Sequence, residues 1–128
     1  MPSNSNPGEA LTAPPLKPPR LKMYILILES VPLEKAINSN AHASLACYLK
    51  FREDPVMRTW LEISFAKVTC KVNAAEFAKA KECEDICVIT ESSLGGQEVA
   101  VAFKPRHEWP NVVKYAKLYK VEPDPGPS

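Results

Sequence analysis

The chain has 128 residues, 45% of them hydrophobic, and a formal net charge of +1, which is enough for one domain around a single core. That near-neutral balance excludes the strong cationic field behind non-specific nucleic-acid binding, so any basic surface must be local. No run reaches the roughly 18 apolar residues that span a bilayer, and Met1 leads into polar, proline-rich sequence; a cytoplasmic protein with no membrane partner is expected.

Residues 1–21 hold six of the thirteen prolines and almost nothing with which to build a core, so a disordered, partly polyproline II tail is expected. Its "PPLKPPR" contains a PxxP that fits an SH3-type aromatic groove, although a spacer is the simpler reading of such a tail. Residues 121–128, "VEPDPGPS", form a second frayed end. The folded unit is therefore expected over residues 22–120.

Within it, "MYILIL" (23–28) is a continuous apolar run, as in a strand buried on both faces. After "ESVP" comes a helix through "LEKAINSNAHASLACYLK". At 100° per residue, Ile37, Ala41, Ser44, Leu45 and Tyr48 form one stripe, while Lys35, Ser39 and His42 share roughly the opposite side. Ala36, Ala41, Ala43, Ala46 and Cys47 are small, which suits a close approach to a sheet. "DPVMRTWLEI" predicts a second helix with Asp54 as N-cap, Pro55 at the first helical position, and Trp60 and Leu61 as anchors.

"AKVTCKV" alternates: Val68, Cys70 and Val72 point one way, and Lys67, Thr69 and Lys71 the other. Asn73 and Glu76 have capping-box spacing and open a third helix. "ICVIT" and "EVAVAF" are two further strands, joined by "ESSLGGQ", whose glycines permit a sharp turn. "WPNVVKYAKLYK" predicts a short closing helix from Pro110. Four strands separated mostly by helices predict an α/β fold, a three-layer sandwich with a mixed four-stranded sheet and helices on both faces.

The four cysteines lack paired CxxC spacing, and only two histidines accompany them. No metal or other cofactor is expected, and Cys47, Cys70 and Cys87, in apolar patterns, read as buried reduced thiols. Ser92 and Ser93 follow Glu91 without a GxSxG elbow, and neither His42 nor His107 is tied to them by a motif. Charge is segregated: residues 82–98 carry five acidic and no basic residues, whereas residues 104–120 carry five basic residues against Glu108 alone. A phosphate-facing basic side is one reading of this pattern, and ordinary solvated lysines the other.

Taken in order, "KMYILIL", "EKAINSNAHASLACYLK", "AKVTCKVNAAEFAKA" and "KYAKLYK" resemble the opening strand, first helix, second strand with its capped helix, and closing segment of the type-II peptidyl-tRNA hydrolases. The resemblance spans essentially all of residues 22–120. It implies hydrolysis of the ester between a peptide and the terminal ribose of tRNA, with tRNA as partner. By position, Lys35 matches the lysine of the first helix, and Glu91 falls where the family has an aspartate. Lys67 and Lys71 match basic positions facing RNA, and His42 and Ser92 join them as substrate-binding candidates. Ester hydrolysis needs an activated water and a cation for the developing oxyanion; Glu91 and Lys35 are the catalytic candidates for those roles.

The chain also departs from the family's pattern around that site. It has "VPLEK" where the family has a glycine-flanked lysine pair, and "ESSLGGQ" in place of an Ala-Gly-Arg-Thr string. The alternative reading is a non-catalytic member of the same fold, an RNA- or ligand-binding or protein-interaction module. The sequence leaves oligomeric state open, a homodimer included.

Overall fold

A computed structural model describes residues 20–121, and both proline-rich ends, with the PxxP segment, lie outside the described residues apart from Arg20, Leu21 and Val121. Strand β1 (Lys22–Leu28) leads into helix α1 (Leu33–Phe51), short helix α2 (Pro55–Thr59) and a π-helical turn (Trp60–Ser64). Then come β2 (Ala66–Val72), α3 (Ala74–Lys81), β3 (Ile86–Glu91), a 3-10 turn (Ser92–Leu94), β4 (Gln97–Phe103), α4 (Asn111–Lys114) and β5 (Lys117–Leu118). Among the described residues the fold is α/β: one mixed five-stranded sheet in the order β3-β4-β1-β2-β5, with four α-helices.

Local chemistry places the helix starts as the sequence predicts. The Asp54 side chain accepts from the Val56 N–H at 3.0 Å with Pro55 following it. Asn73 and Glu76 close a reciprocal capping box at 2.8 and 2.9 Å. Of the two expected anchors of the second helix, Trp60 is buried and donates its indole N–H to the Ala66 carbonyl at 2.7 Å, while Leu61 stays 39% exposed.

The core divides along β1 by side-chain alternation. Met23, Ile25 and Ile27 cluster with Ala36, Ala43 and Cys47 of α1 and with Ala100 and Ala102 of β4. Leu26 clusters instead with Cys70, Val72, Val101 and Phe103, with Phe77 and Ala80 of α3, and with Val113 of α4. Successive strand residues face opposite ways, so the two clusters lie on opposite faces of the sheet. Leu21 already belongs to the first of them, so the core begins one residue before the expected boundary.

Three sequence expectations are corrected. The sheet has five strands, not four, because the expected closing helix is a single turn. Tyr115 leaves helical geometry at φ −105°, and Lys117–Leu118 then pairs antiparallel with Lys71 and Cys70. The Tyr119 N–H continues the ladder to the Thr69 carbonyl at 2.9 Å, covering part of what is otherwise an open strand edge.

The buried face of α1 is also not the expected stripe. Ile37 and Leu45 are 62% and 60% exposed, and the sheet is met by Ala36, Ser39, Ala43 and Cys47. Opposite them stand Ala100 and Ala102, so small side chains on both surfaces let helix and sheet close up. The third correction concerns the cysteines: Cys47 and Cys70 are buried, but Cys87 is only half-buried, and all four are free. Burial, with Cys87 nearby, pushes the Cys47 thiol up to about 12, and burial pushes Cys70 up to about 11, which makes both poor nucleophiles at neutral pH.

At the amino ends of β1 to β3, the Lys104 ammonium bonds Asp54 Oδ2 at 2.7 Å and approaches Asp85 Oδ2 at 3.4 Å, joining the end of β4 to the starts of α2 and β3. The hydrogen bond from Lys104, then that from the Val56 N–H, holds the Asp54 carboxyl below its ordinary value of 3.8. A lowered folded value means the contribution is full above that ordinary value and is lost as pH falls through the folded one. Because Asn caps a helix as well as Asp, Asp54→Asn isolates the charge. In urea unfolding it should cost about 1 kcal/mol at neutral pH, a difference that disappears in acid below the folded value. Ala43→Leu should cost about 1–3 kcal/mol by overpacking, against a near-neutral Ala78→Leu on the exposed side of α3.

Candidate functional site

Strands β1 and β2 are parallel, and β3 is antiparallel to β4, which is antiparallel to β1. Strands β1, β2 and β3 therefore all end at one edge of the sheet, where α1 and α3 begin. The crossover out of β1 runs through α1 on one face, and the crossover into β3 runs through α3 on the other. In open α/β sheets such a carboxyl edge, where connections diverge, is where ligands bind.

Glu91 closes β3 on the face that carries α1, two residues beyond Ile89, which pairs with Ala100. Its Oε2 accepts from the Ser93 N–H at 3.0 Å and from the Ser93 hydroxyl at 2.8 Å. These two bonds hold the Glu91 carboxyl below its usual range, and Lys35 and His42 add a smaller pull in the same direction. The carboxylate thus stays charged through the neutral range and takes up a proton only at lower pH than an ordinary glutamate. Gly95 and Gly96, at φ of 68° and 79°, turn the chain back into β4 behind it.

Lys35 sits in the first turn of α1 and is half-buried, while His42 lies two turns further on and is exposed. Both reach the field of Glu91, but no ion pair closes between Lys35 and Glu91; the ion pairs among the described residues lie elsewhere. Between Lys35 and His42 on the same helix is Ser39, fully buried, whose hydroxyl has no hydrogen-bond partner among the described residues. Ser92 is exposed in the 3-10 turn beside Glu91. Lys35, His42, Glu91 and Ser92 are therefore brought to one end of one face.

The two β2 lysines are not brought there together. Lys67 lies near the start of β2, at the opposite edge, with its ammonium 3.3 Å from the Phe65 ring centroid and 5.3 Å from that of Trp60. Burial there pulls its pKa down. Lys71 is at the carboxyl edge, but β4 and β1 separate its strand from β3, a lateral offset of about 14 Å at ordinary strand spacing. Its ammonium donates to the Lys120 carbonyl at 3.1 Å and lies 4.5 Å from the Tyr119 ring centroid.

A cavity of about 550 Å³ at that corner is lined by Lys71, Lys117 and Lys120, together with Glu29, Asn73 and Glu76. The basic run of residues 104–120 was the sequence signal for it; pairing of β5 with β2 brings Lys117 beside Lys71. Sequence reasoning missed a second feature, an apolar groove of about 380 Å³ between α1, β2 and Tyr119, lined by Ile27, Leu33, Ala36, Ile37, Asn40 and Thr69 among others. The Thr69 hydroxyl bonds Asn40 Oδ1 across its wall at 2.8 Å, and no motif marks Asn40. Neither cavity includes Lys35 or Glu91.

Among the described residues, no three His, Cys, Asp or Glu side chains are grouped to hold a metal ion, and no helix is long and apolar enough to cross a membrane. Compared with known proteins, the chain matches no family model and no curated protein.

The origin of the Glu91 shift is open to a direct check. Ser93→Ala removes the hydroxyl bond but keeps the backbone N–H bond, so it should raise the carboxyl titration midpoint, followed by carbon-13 NMR, part of the way toward the ordinary glutamate value. Lys35→Met should raise it by less, because the hydroxyl bond is a larger cause than the Lys35 charge.

Proposed function

We propose that this chain is a divergent peptidyl-tRNA hydrolase-like protein, built as a three-layer sandwich, that cleaves the ester between a peptide and tRNA with Lys35 and Glu91. One observation carries the reading. An ionised carboxylate at the end of β3 stands in the field of the first-turn lysine of α1, on one face of a carboxyl edge, where the resemblance to the type-II enzymes assigns the acid and the lysine.

In this reading Glu91 orients and deprotonates the attacking water. Its Ser93 bonds fix one oxygen and leave the other for that water. The Lys35 ammonium forms no ion pair with Glu91 and is available to the oxyanion that develops on the ester carbonyl. The first turn of α1 adds the positive end of the helix dipole to the same region. His42 and Ser92 flank the water and contact the terminal ribose. The Lys71, Lys117 and Lys120 corner takes a tRNA phosphate; Lys67, at the far edge, takes no part in that contact.

A second reading has its own observation. Neither the apolar groove nor the lysine-lined cavity has Lys35 or Glu91 in its lining, as expected of a non-catalytic binding module of the same fold.

Hydrolysis of N-blocked aminoacyl-tRNA decides between them. The wild-type chain should turn over, and Lys35→Ala and Glu91→Gln should each lower kcat/KM by about 100-fold or more. The acid limb of the pH profile should fall below the ordinary glutamate range, since the Glu91 carboxyl is held down. Absence of turnover, or turnover indifferent to both substitutions, would overturn the Lys35–Glu91 reading and favour the binding module.

A further inference from the structure

The face of α1 turned away from the sheet is apolar as well. Leu33, Ile37, Leu45 and Leu49 are 42%, 62%, 60% and 50% exposed, and exposed Ala41 completes a row at every fourth residue. Such a row is a ridge of the kind that interdigitates when two helices cross at about −50°. Its order of sizes is symmetric: two long side chains, a methyl, two long side chains.

We propose that this ridge is the interface of a two-fold symmetric dimer, with α1 packed against α1 of a second copy across an axis at Ala41. An isologous contact requires a self-complementary patch, and the ridge meets that requirement residue by residue. The axis sets Leu33 beside Leu49 of the second copy and Ile37 beside its Leu45, and leaves the Ala41 methyls at the crossing, where the helices come closest. The flanking polar residues also match under the same operation. Glu34 meets Tyr48, a carboxylate with a phenol hydroxyl, and Asn38 meets Ser44, so no like charges oppose each other across the axis.

The area is sufficient for a reversible dimer. Four half-exposed large side chains amount to an apolar patch on the order of 400 Å², the size that marks an interface on a protein surface. With the flanking residues and the adjoining wall of the groove at Leu33 and Ile37, the pair buries on the order of 1,200 Å² in total, the lower limit for specific association. The interface does not rest on the hydrolase reading: Lys35 lies about 120° around the helix from Ala41 and stays clear of it, while His42, three residues from Leu45 and four from Asn38, sits at its border.

Sedimentation equilibrium of the full chain, from low to several hundred micromolar, tests the proposal. Wild type should pass from the 14.2 kDa chain to twice that mass with a micromolar midpoint. Ile37→Glu and Leu45→Lys, each checked for wild-type circular dichroism, should each weaken self-association at least tenfold. Mixed together they should recover a heterodimer, because the axis places residue 37 of one copy against residue 45 of the other. A monomer at every concentration would overturn the proposal and give the ridge to the terminal segments or to a foreign partner. A dimer indifferent to both substitutions, or no recovery on mixing, would overturn the geometry stated here.

Discussion

The close seating of α1 on the sheet is the constraint from which the other features follow. Ala36, Ser39, Ala43 and Cys47 are the buried residues of α1, and across from them Ala100 and Ala102 of β4 are equally small among the larger Met23, Ile25 and Ile27 of β1, so the helix settles nearer β4 than leucines would allow. Leu33, Ile37, Leu45 and Leu49 of α1 are left outside. The same seating aims the first turn of the helix at the end of β3, where Lys35 and His42 reach the field of Glu91.

Burying Ser39 within that small stripe carries a cost. A fully buried hydroxyl without a partner forgoes a hydrogen bond it would make in water. Threonine or valine there would be larger, and only alanine or glycine would be as compact without the hydroxyl. The seating of the helix thus explains the size of this residue, lying between Lys35 and His42.

The two edges of the sheet differ in how their charges are used. At the amino edge, Lys104 is bonded to Asp54 and Asp85, and Arg106 donates to the Glu84 and Asp85 carbonyls; these cations hold elements together. At the carboxyl edge, Glu91 is bonded only through its own turn and Lys35 forms no ion pair among the described residues. Committed charge is present there too, since Glu98, opposite Thr90 at the end of β3, is bonded to Lys81 at 2.6 Å; Glu91 and Lys35 stand out because neither forms an ion pair among the described residues. Lys67 and Lys71, which share a face of β2, fall at opposite ends of the strand.

What the sequence by itself determined is local. The capping box at Asn73 and Glu76, the Asp54–Pro55 helix start, the apolar run of β1 and the alternation of β2 each depend on neighbours a few residues away, and these are legible from spacing alone. Which face of α1 meets the sheet was not legible, because both faces are apolar and periodicity favours the larger side chains, whereas close approach favours the smaller. The fifth strand was hidden for a related reason: Lys117–Leu118 is a strand only because β2 offers an open edge to pair with. Tertiary structure alone decided these points, and with them the placement of Lys35 within the field of Glu91 but without an ion pair among the described residues, the separation of Lys67 from Lys71, and the apolar ridge exposed on α1. Each is a contact between segments far apart in the chain, where the geometry of the sheet outweighs local preference.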